Sequence, residues 1–465
     1  MTPFRIRDII GATSAEVFGA ERTECVQDVV TDTRKIAKGA LFVALKGERF
    51  NGENFVAEAI ERGAFAVLVS KVFSADKTER LAKKAVVLKV ADTQKAYQQI
   101  GHLWREQFKI PVIAITGSNG KTTTKDLTAA VLSARGKVCK TQANFNNEIG
   151  LPLTLLSITK EDTAAVVEIG MRGLHQIEAL APVADPSIGI VTNVGETHME
   201  LLGSLENIAR AKGELVEAIG KDGRGGTVIL NADNAFVAKM REKARLGVKV
   251  VTFGIENAAD VRALADTIET VGGNATRFAV EYAGERHVFE IKMVGRHNVM
   301  NALAAIAAGI VLGFSADEIE AGLKNLEATK MRFEVEEVKG YHIINDAYNA
   351  SPMSMKAALE TLAQLTKGRK IAVLGDMFEL GSVEREAHEA VGREVAMYGF
   401  SAVVTRGKLG KCIADGARKA GVKDVYSAES HEAAAELLKK ILQKGDTVLF
   451  KGSRGMAMEK IIPLL

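Results

Sequence analysis

Residues 110–126 read IPVIAITGSNGKTTTKD. Val112, Ile113, Ala114 and Ile115 make a short apolar run of the kind that forms a buried strand. Thr116, Gly117, Ser118, Asn119 and Gly120 follow, then Lys121 and Thr122, then a helix-compatible run from Thr123 to Ser133. Strand, glycine loop, Lys-Thr pair and helix in that order make a cradle for phosphate, because loop N–H groups and the first turn of a helix aim donors at one place. In such a cradle Lys121 reaches the terminal phosphates of a nucleotide and the Thr122 hydroxyl holds Mg²⁺. The plain alternative is a glycine-rich turn with a chance Lys-Thr.

The common nucleotide-binding pattern has a further glycine where this chain has Ile115, so the form present is the shorter G-x-x-G-K-T. A second glycine-rich, basic stretch, Lys221 to Gly226, precedes a strand rather than a helix. It cannot present helix N–H groups and reads as a surface turn.

Length and composition bound what surrounds this loop. A chain of 465 residues suggests roughly three domains. Hydrophobic content of 47% and charge of 26% are those of a globular protein with ample core. A net charge of +3 is too small for nucleic acid or membrane lipid to be the main partner. Cys25, Cys139 and Cys412 are scattered, odd in number and without metal-binding spacing, which predicts reduced thiols and a cytoplasmic location. The N-terminus lacks a signal-peptide core and no stretch is long enough for a membrane span.

The fold class is α/β in three domains. Residues 1–92 form a small N-terminal α/β domain, with strands expected at 29–34, 40–45, 64–69 and 85–90 and a helix from Phe55 to Arg62. The turns Asp32-Thr33-Arg34 and Arg49-Phe50-Asn51-Gly52 read most simply as ordinary turn chemistry. Residues 93–328 form the central domain, opened by a helix over 93–108. Its apolar runs at 164–170, 186–195, 226–231 and 248–253 alternate with helices, which predicts a mostly parallel sheet covered on both faces. Residues 276–295 alternate about a glycine turn and predict an antiparallel hairpin, followed by a helix from His297 to Leu312. Residues 329–465 form a Rossmann-like C-terminal domain with strands at 341–346, 370–374, 401–405, 423–426 and 446–450, in an order that the sequence leaves open.

Ligands gather at the carboxyl ends of strands in such sheets. Glu168, Thr192, Asn193, His198, Asp346 and Asp376 stand where apolar runs stop. A carboxylate such as Glu168 in the sheet of a phosphate loop is a natural Mg²⁺ ligand. His198 by itself is a weak signal. Lys212 lies on a helix over 204–219 with Ser204 as N-cap, and its spacing from Ile208, Leu215 and Ile219 puts its amine on the apolar stripe. A lysine there must snorkel, pair or lose its charge. A neutral amine can take up CO₂ as a carbamate, which offers oxygen to a cation. Spacing alone favours snorkelling.

These stretches resemble the Mur ligase family, whose members make amide bonds with ATP during peptidoglycan synthesis. The resemblance runs along nearly the whole chain: TGSNGKTT (116–123), TQANFNNEIGLPLTLL (141–156), EIGM (168–171), TNVGETHMELLGSLENIARAKGE (192–214), GRHNVMNALAA (295–305), MRFE (331–334) and NDAYNASPMSM (345–355). LGDMFELG (374–381) and FKGSRGMAMEK (450–460) resemble the branch that adds D-alanyl-D-alanine. TDTRKIAKGALFVALKGERFNGENF (31–55) resembles the first domain, which holds the UDP end of the substrate; Thr33 replaces a usual serine and Asn51 a usual aspartate.

The resemblance implies a role for each matching residue. Gly117, Ser118, Asn119, Gly120, Lys121, Thr122 and Thr123 cradle ATP, with Lys121 on the γ-phosphate. Thr122 and Glu168 hold one Mg²⁺; His198 and a carbamylated Lys212 hold a second. Asn298 contacts adenine, Arg332 approaches the phosphates and Asp346 meets the ribose. Thr33, Arg34, Asn51, Asn144 and Asn147 lie near substrate. The implied reaction is ATP-driven joining of D-Ala-D-Ala to UDP-MurNAc-tripeptide through an acyl phosphate, by a monomer that neither enters membranes nor binds nucleic acid. Lys121, His198 and Lys212 are then the catalytic candidates. A neighbouring ligase, or a nucleotide switch without amide product, are the rival readings.

Overall fold

The structure, a computed structural model, describes residues 4–19, 25–47, 50–326 and 330–465. Arg49, and the expected boundary between 328 and 329, lie at or beside positions outside the described residues. The chain forms two compact units. One comprises Met1–Ala114, Gly136–Ile169 and Glu178–Pro186; the other comprises Ile115–Arg135, Gly170–Ile177 and Ser187–Leu465.

In the first unit, strands Asp28–Val30, Ala40–Val43, Ala66–Ser70 and Val86–Val90 run parallel, and Glu16–Phe18 closes the edge antiparallel. The last three parallel strands fall on the expected runs, but the run at 29–34 is strand only to Val30 and turns into the 3-10 segment Thr33–Lys35, and Glu16–Phe18 was not expected. Val30, Phe42, Val67, Val69 and Val87 form one continuous core with Leu81 and Val56 from the covering helices. Helix Thr93–Arg105 is held at both ends: Asp92 caps it, and the buried Trp104 packs on Phe4 at 4.5 Å and donates to the Ile158 carbonyl at 3.0 Å. Strands Lys137–Lys140 and Asp162–Glu168 also pair parallel here.

In the second unit, strands Ile188–Val191, Gly226–Asn231, Val248–Gly254 and Val261–Ala263 run parallel. The hairpin Ala275–Tyr282 with Glu285–Ile291 then adds antiparallel strands. Ala283 and Gly284 turn it with positive φ at both positions, the geometry that matches strand twist. Lys221 to Gly226 is the largely exposed turn expected of it.

The C-terminal sheet resolves the order that sequence left open. Its strands lie in the order Glu334–Val338, Tyr341–Asp346, Thr447–Lys451, Lys370–Gly375, Ala402–Arg406, Asp424–Ala428. All pairs are parallel except the first. The last strand in sequence thus enters beside the first of the parallel set. Alternation at period two sends Ile371, Val373 and Phe450 to one core, and Ala372, Leu374 and Leu449 to the other. Burying a side chain such as Phe450 contributes roughly 2–3 kcal/mol.

Candidate active site

The phosphate loop grows from Val112–Thr116, a fully buried strand, and ends where Gly120 turns into helix Lys121–Leu132. Gly120 sits at φ +79, and a Cβ there would collide with Asn301 Oδ1. Gly117 sits at φ +152, and a Cβ there would collide with Thr192 Oγ1. Both positions therefore require glycine. The helix starts two residues before the expected Thr123, because the left-handed Gly120 lets Lys121 and Thr122 occupy its first turn.

Residues beyond strand Ile188–Val191 brace this loop. Asn193 accepts the Asn119 N–H at 2.9 Å and donates to the Asn119 carbonyl at 3.0 Å. The Thr192 hydroxyl donates to the same carbonyl at 2.7 Å. Ser118 Oγ exchanges hydrogen bonds of 3.0 Å with the Gly195 backbone. Lys121 Nζ folds over the loop onto the Gly117 carbonyl at 2.7 Å. Thr123 is buried in the first helical turn.

Residues past 330 meet the loop. Arg332 Nη2 donates to Thr122 Oγ1 at 2.9 Å, and its guanidinium carbon lies 4.2 Å from the Tyr348 ring centroid. Met331 and Phe333, on either side, both have positive φ, which for bulky residues is strain of order 1–3 kcal/mol each. Ser351 Oγ donates to Asn119 Oδ1 at 2.8 Å while capping helix Pro352–Leu365. Asp346 accepts from Lys451 Nζ at 2.5 Å and from the Phe333 N–H at 3.2 Å. Lys451 was not among the expected site residues, although it lies in the stretch FKGSRGMAMEK (450–460) that carries the resemblance.

Lys212 lies in helix Leu205–Ala218, capped by Ser204, and is 2% exposed. The amine does not snorkel. Burial drives its pKa well below the ordinary lysine value, and the positive charge of Lys121 adds to the effect. His198 stands at the start of the short helix Met199–Leu202 with φ 57, and its Nδ1 lies 2.5 Å from Glu379 Oε2. Asn298 is buried; its Nδ2 donates to the Val294 carbonyl at 2.8 Å and its Oδ1 accepts from Asn301. Asp376 accepts the Gly410 N–H at 2.6 Å and so braces a helix start.

In the first unit, Glu168 is 3% exposed and accepts from Asn146 Nδ2 at 2.8 Å. Asn147 Oδ1 accepts the Gly150 N–H at 2.9 Å, which opens helix Gly150–Leu156, and Asn144 accepts the Asn146 N–H at its carbonyl. Asp32 caps Thr33–Lys35 and grips Arg34 through two bonds of 2.7–2.9 Å, which holds the Asp32 carboxyl down at about 2. Asn51 accepts the Glu53 N–H at 3.0 Å. Thr33, Arg34 and Asn51 thus show the turn chemistry their sequence suggests.

Among the described residues no three His, Cys, Asp or Glu side chains converge on one point. Mg²⁺ commonly takes one or two protein ligands and completes its shell with phosphate and water, and the Thr122 hydroxyl in the first turn of helix Lys121–Leu132 is an oxygen donor of that kind. An unmodified Lys212 is no cation ligand. Its suppressed charge is the condition under which the amine reacts with CO₂.

Three family models match the chain: "Mur ligase family, catalytic domain" over 26–105, "Mur ligase middle domain" over 115–309 and "Mur ligase, glutamate ligase domain" over 331–454. The UDP-N-acetylmuramoyl-tripeptide–D-alanyl-D-alanine ligase of Bacillus subtilis is 40% identical over 94% of this chain and 92% of its own. That of Escherichia coli is 35% identical over 100% and 98%. A crystal structure of MurF from Acinetobacter baumannii superposes with a TM-score of 0.90 at 30% identity, covering 100% of this chain and 98% of its own. MurF from Thermotoga maritima in complex with ADP superposes at 0.82 with 26% identity, covering 94% and 97%.

Proposed function

Because the chain belongs to the Mur ligase family, we propose that it joins D-alanyl-D-alanine to UDP-N-acetylmuramoyl-tripeptide with ATP. The products are UDP-MurNAc-pentapeptide, ADP and phosphate. The observation that carries this is the hold of Arg332 on Thr122 of the phosphate loop, together with a buried Lys212 whose pKa is lowered by burial and by the charge of Lys121. A loop serving only as a switch leaves both unexplained.

A carboxylate and an ammonium do not condense in water. A tripeptide carboxylate oxygen attacks the γ-phosphorus of ATP, the bond to the β-phosphate oxygen breaks, and ADP leaves. The free amine of D-Ala-D-Ala attacks the acyl carbon; the tetrahedral intermediate expels phosphate and the nitrogen gives up its proton. Lys121 and Arg332 balance charge as the phosphoryl group moves. Drawing residues past 330 onto the loop keeps water from the acyl phosphate.

Roles in holding Mg²⁺ fall to Thr122, Glu168, His198 and carbamylated Lys212; when bound, two such ions neutralise phosphate charge. Asn298 is assigned to adenine and Asp346 to ribose. Thr33, Arg34, Asn51, Asn144 and Asn147 are assigned to substrate. The division proposed is 1–92, 93–328 and 329–465; three family models in succession, over 26–105, 115–309 and 331–454, support three parts, the first of them running past residue 92. No helix of the described residues is long and apolar enough to cross a membrane. We assign the reaction to a cytoplasmic monomer.

Incubation with ATP, Mg²⁺ and both substrates should yield the pentapeptide by mass spectrometry, with one ADP per amide. ATP turnover that ignores both substrates, with no amide formed, overturns the reading.

A further inference from the structure

The loop after strand Lys370–Gly375 does more than end a strand. Met377 N–H donates to His388 Nε2 at 2.8 Å and Phe378 N–H to Ser453 Oγ at 2.9 Å, so the loop is fixed to helix Glu384–Met397 and to the turn after strand Thr447–Lys451. Its next residues lie against the segment that carries His198. The Glu200 N–H donates to the Glu379 carbonyl at 3.2 Å. A Cβ on Gly381, at φ +58, would stand 2.8 Å from Glu200 Cα, so only glycine permits this approach. The Glu379 carboxylate then reaches His198 Nδ1 at 2.5 Å, with the ring N–H poorly aligned for a linear hydrogen bond.

Two features separate this contact from an ordinary surface ion pair. His198 and Glu379 both have left-handed backbone, φ 57 and φ 64, a conformation that costs a residue with a Cβ roughly 1–2 kcal/mol. The pair is also substantially exposed, and pairs of that kind return at most about 1 kcal/mol of stability. Strain on both sides of a weak pair points away from stability and toward orientation. A histidine that ligates a metal through one nitrogen is commonly held by a carboxylate on the other.

We infer that Glu379 is a positioning residue for His198, supplied by the C-terminal part of the chain. The Glu379 carboxylate faces Nδ1 and so would leave Nε2 as the ring nitrogen to meet a cation. The second cation site is then complete only when the loop around Glu379 is docked on the His198 segment. The inference rests on the reading of His198 as a metal ligand.

The test is a Mn²⁺ titration followed by electron paramagnetic resonance, on full-length protein saturated with a non-hydrolysable ATP analogue in bicarbonate buffer. Glu379→Gln keeps the shape and an acceptor oxygen but loses the charge. It should weaken the second Mn²⁺ about 10-fold and leave the first unchanged. Glu379→Ala should weaken it further, toward about 100-fold. His198→Ala should abolish the second ion. If His198→Ala retains both ions, the metal role of His198 falls and takes the inference with it. If His198→Ala loses the second ion while Glu379→Gln stays within about twofold of wild type, the inference alone is overturned. Glu379→Gln decides even where Glu379→Ala fails to fold.

Discussion

Asp346 and Lys451, separated by 105 residues, are partners in register at the ends of two parallel strands, with Nζ 2.5 Å from Oδ2. Lys451 also donates to the Asn349 carbonyl at 3.1 Å, and its side chain is 3% exposed. Breaking a buried pair from one side leaves the other charge uncompensated. Lys451→Met should therefore lower stability by about 3 kcal/mol and raise the KM for ATP, because Asp346 is no longer held. Urea unfolding followed at the C-terminal sheet checks the first; an unchanged midpoint would show that solvent already compensates Asp346.

Lys212→Ala removes a buried amine whose pKa is lowered by burial and by the charge of Lys121. Turnover should fall by a factor on the order of 10²–10³, and formate or acetate should restore part of it by supplying the missing oxygens. Near-normal activity with no response to carboxylates would leave Lys212 a buried amine without a catalytic part.

The two glycine-rich stretches predict opposite outcomes. Gly117→Ala drives a methyl into Thr192 Oγ1 and should abolish nucleotide binding in a fluorescence titration. Gly223→Ala meets nothing within 4 Å; its φ of +81 costs roughly 1–2 kcal/mol of stability, and ATP binding should stay at the wild-type level.

His297 is packed edge-on to the Phe333 ring, and burial pushes its pKa down to about 4 against the partial opposing pull of Asp346. As pH falls from about 6.5, the unfolded chain takes up a proton that the folded one refuses, so stability falls with pH until about pH 4. Solvent reaches part of this residue, which holds the drop to roughly 2 kcal/mol. His297→Gln should flatten that slope in thermal melts between pH 7 and 4; a parallel slope would assign it to other groups.

Much of this was legible along the chain because its causes are local. The strand at 112–116 is a run of apolar residues, Gly120 is required by its own φ, and Lys212 falls on the apolar stripe by helical spacing alone. The hairpin at 275–291 declares itself by alternation and an Ala-Gly turn. Even the plain reading of Asp32 and Asn51 as turn formers appears in their backbone bonds.

Other features have no local cause. Asp376 ends an apolar strand as convincingly as Asp346 does, yet it braces a helix start while Asp346 meets Lys451 beside the phosphate-loop contacts. Glu379 lies in LGDMFELG, a stretch the sequence singles out, but nothing local gives it a partner until its loop is laid against His198. The sequence by itself determined the phosphate cradle, the α/β class and the place of Lys212 on an apolar helix stripe, because periodicity and backbone sterics act within a few residues; that its amine is buried rather than snorkelling came only from the fold. Only the tertiary structure decided which distant side chains face one another, since that follows from strand order, and strand order depends on how whole sheets bury their two faces.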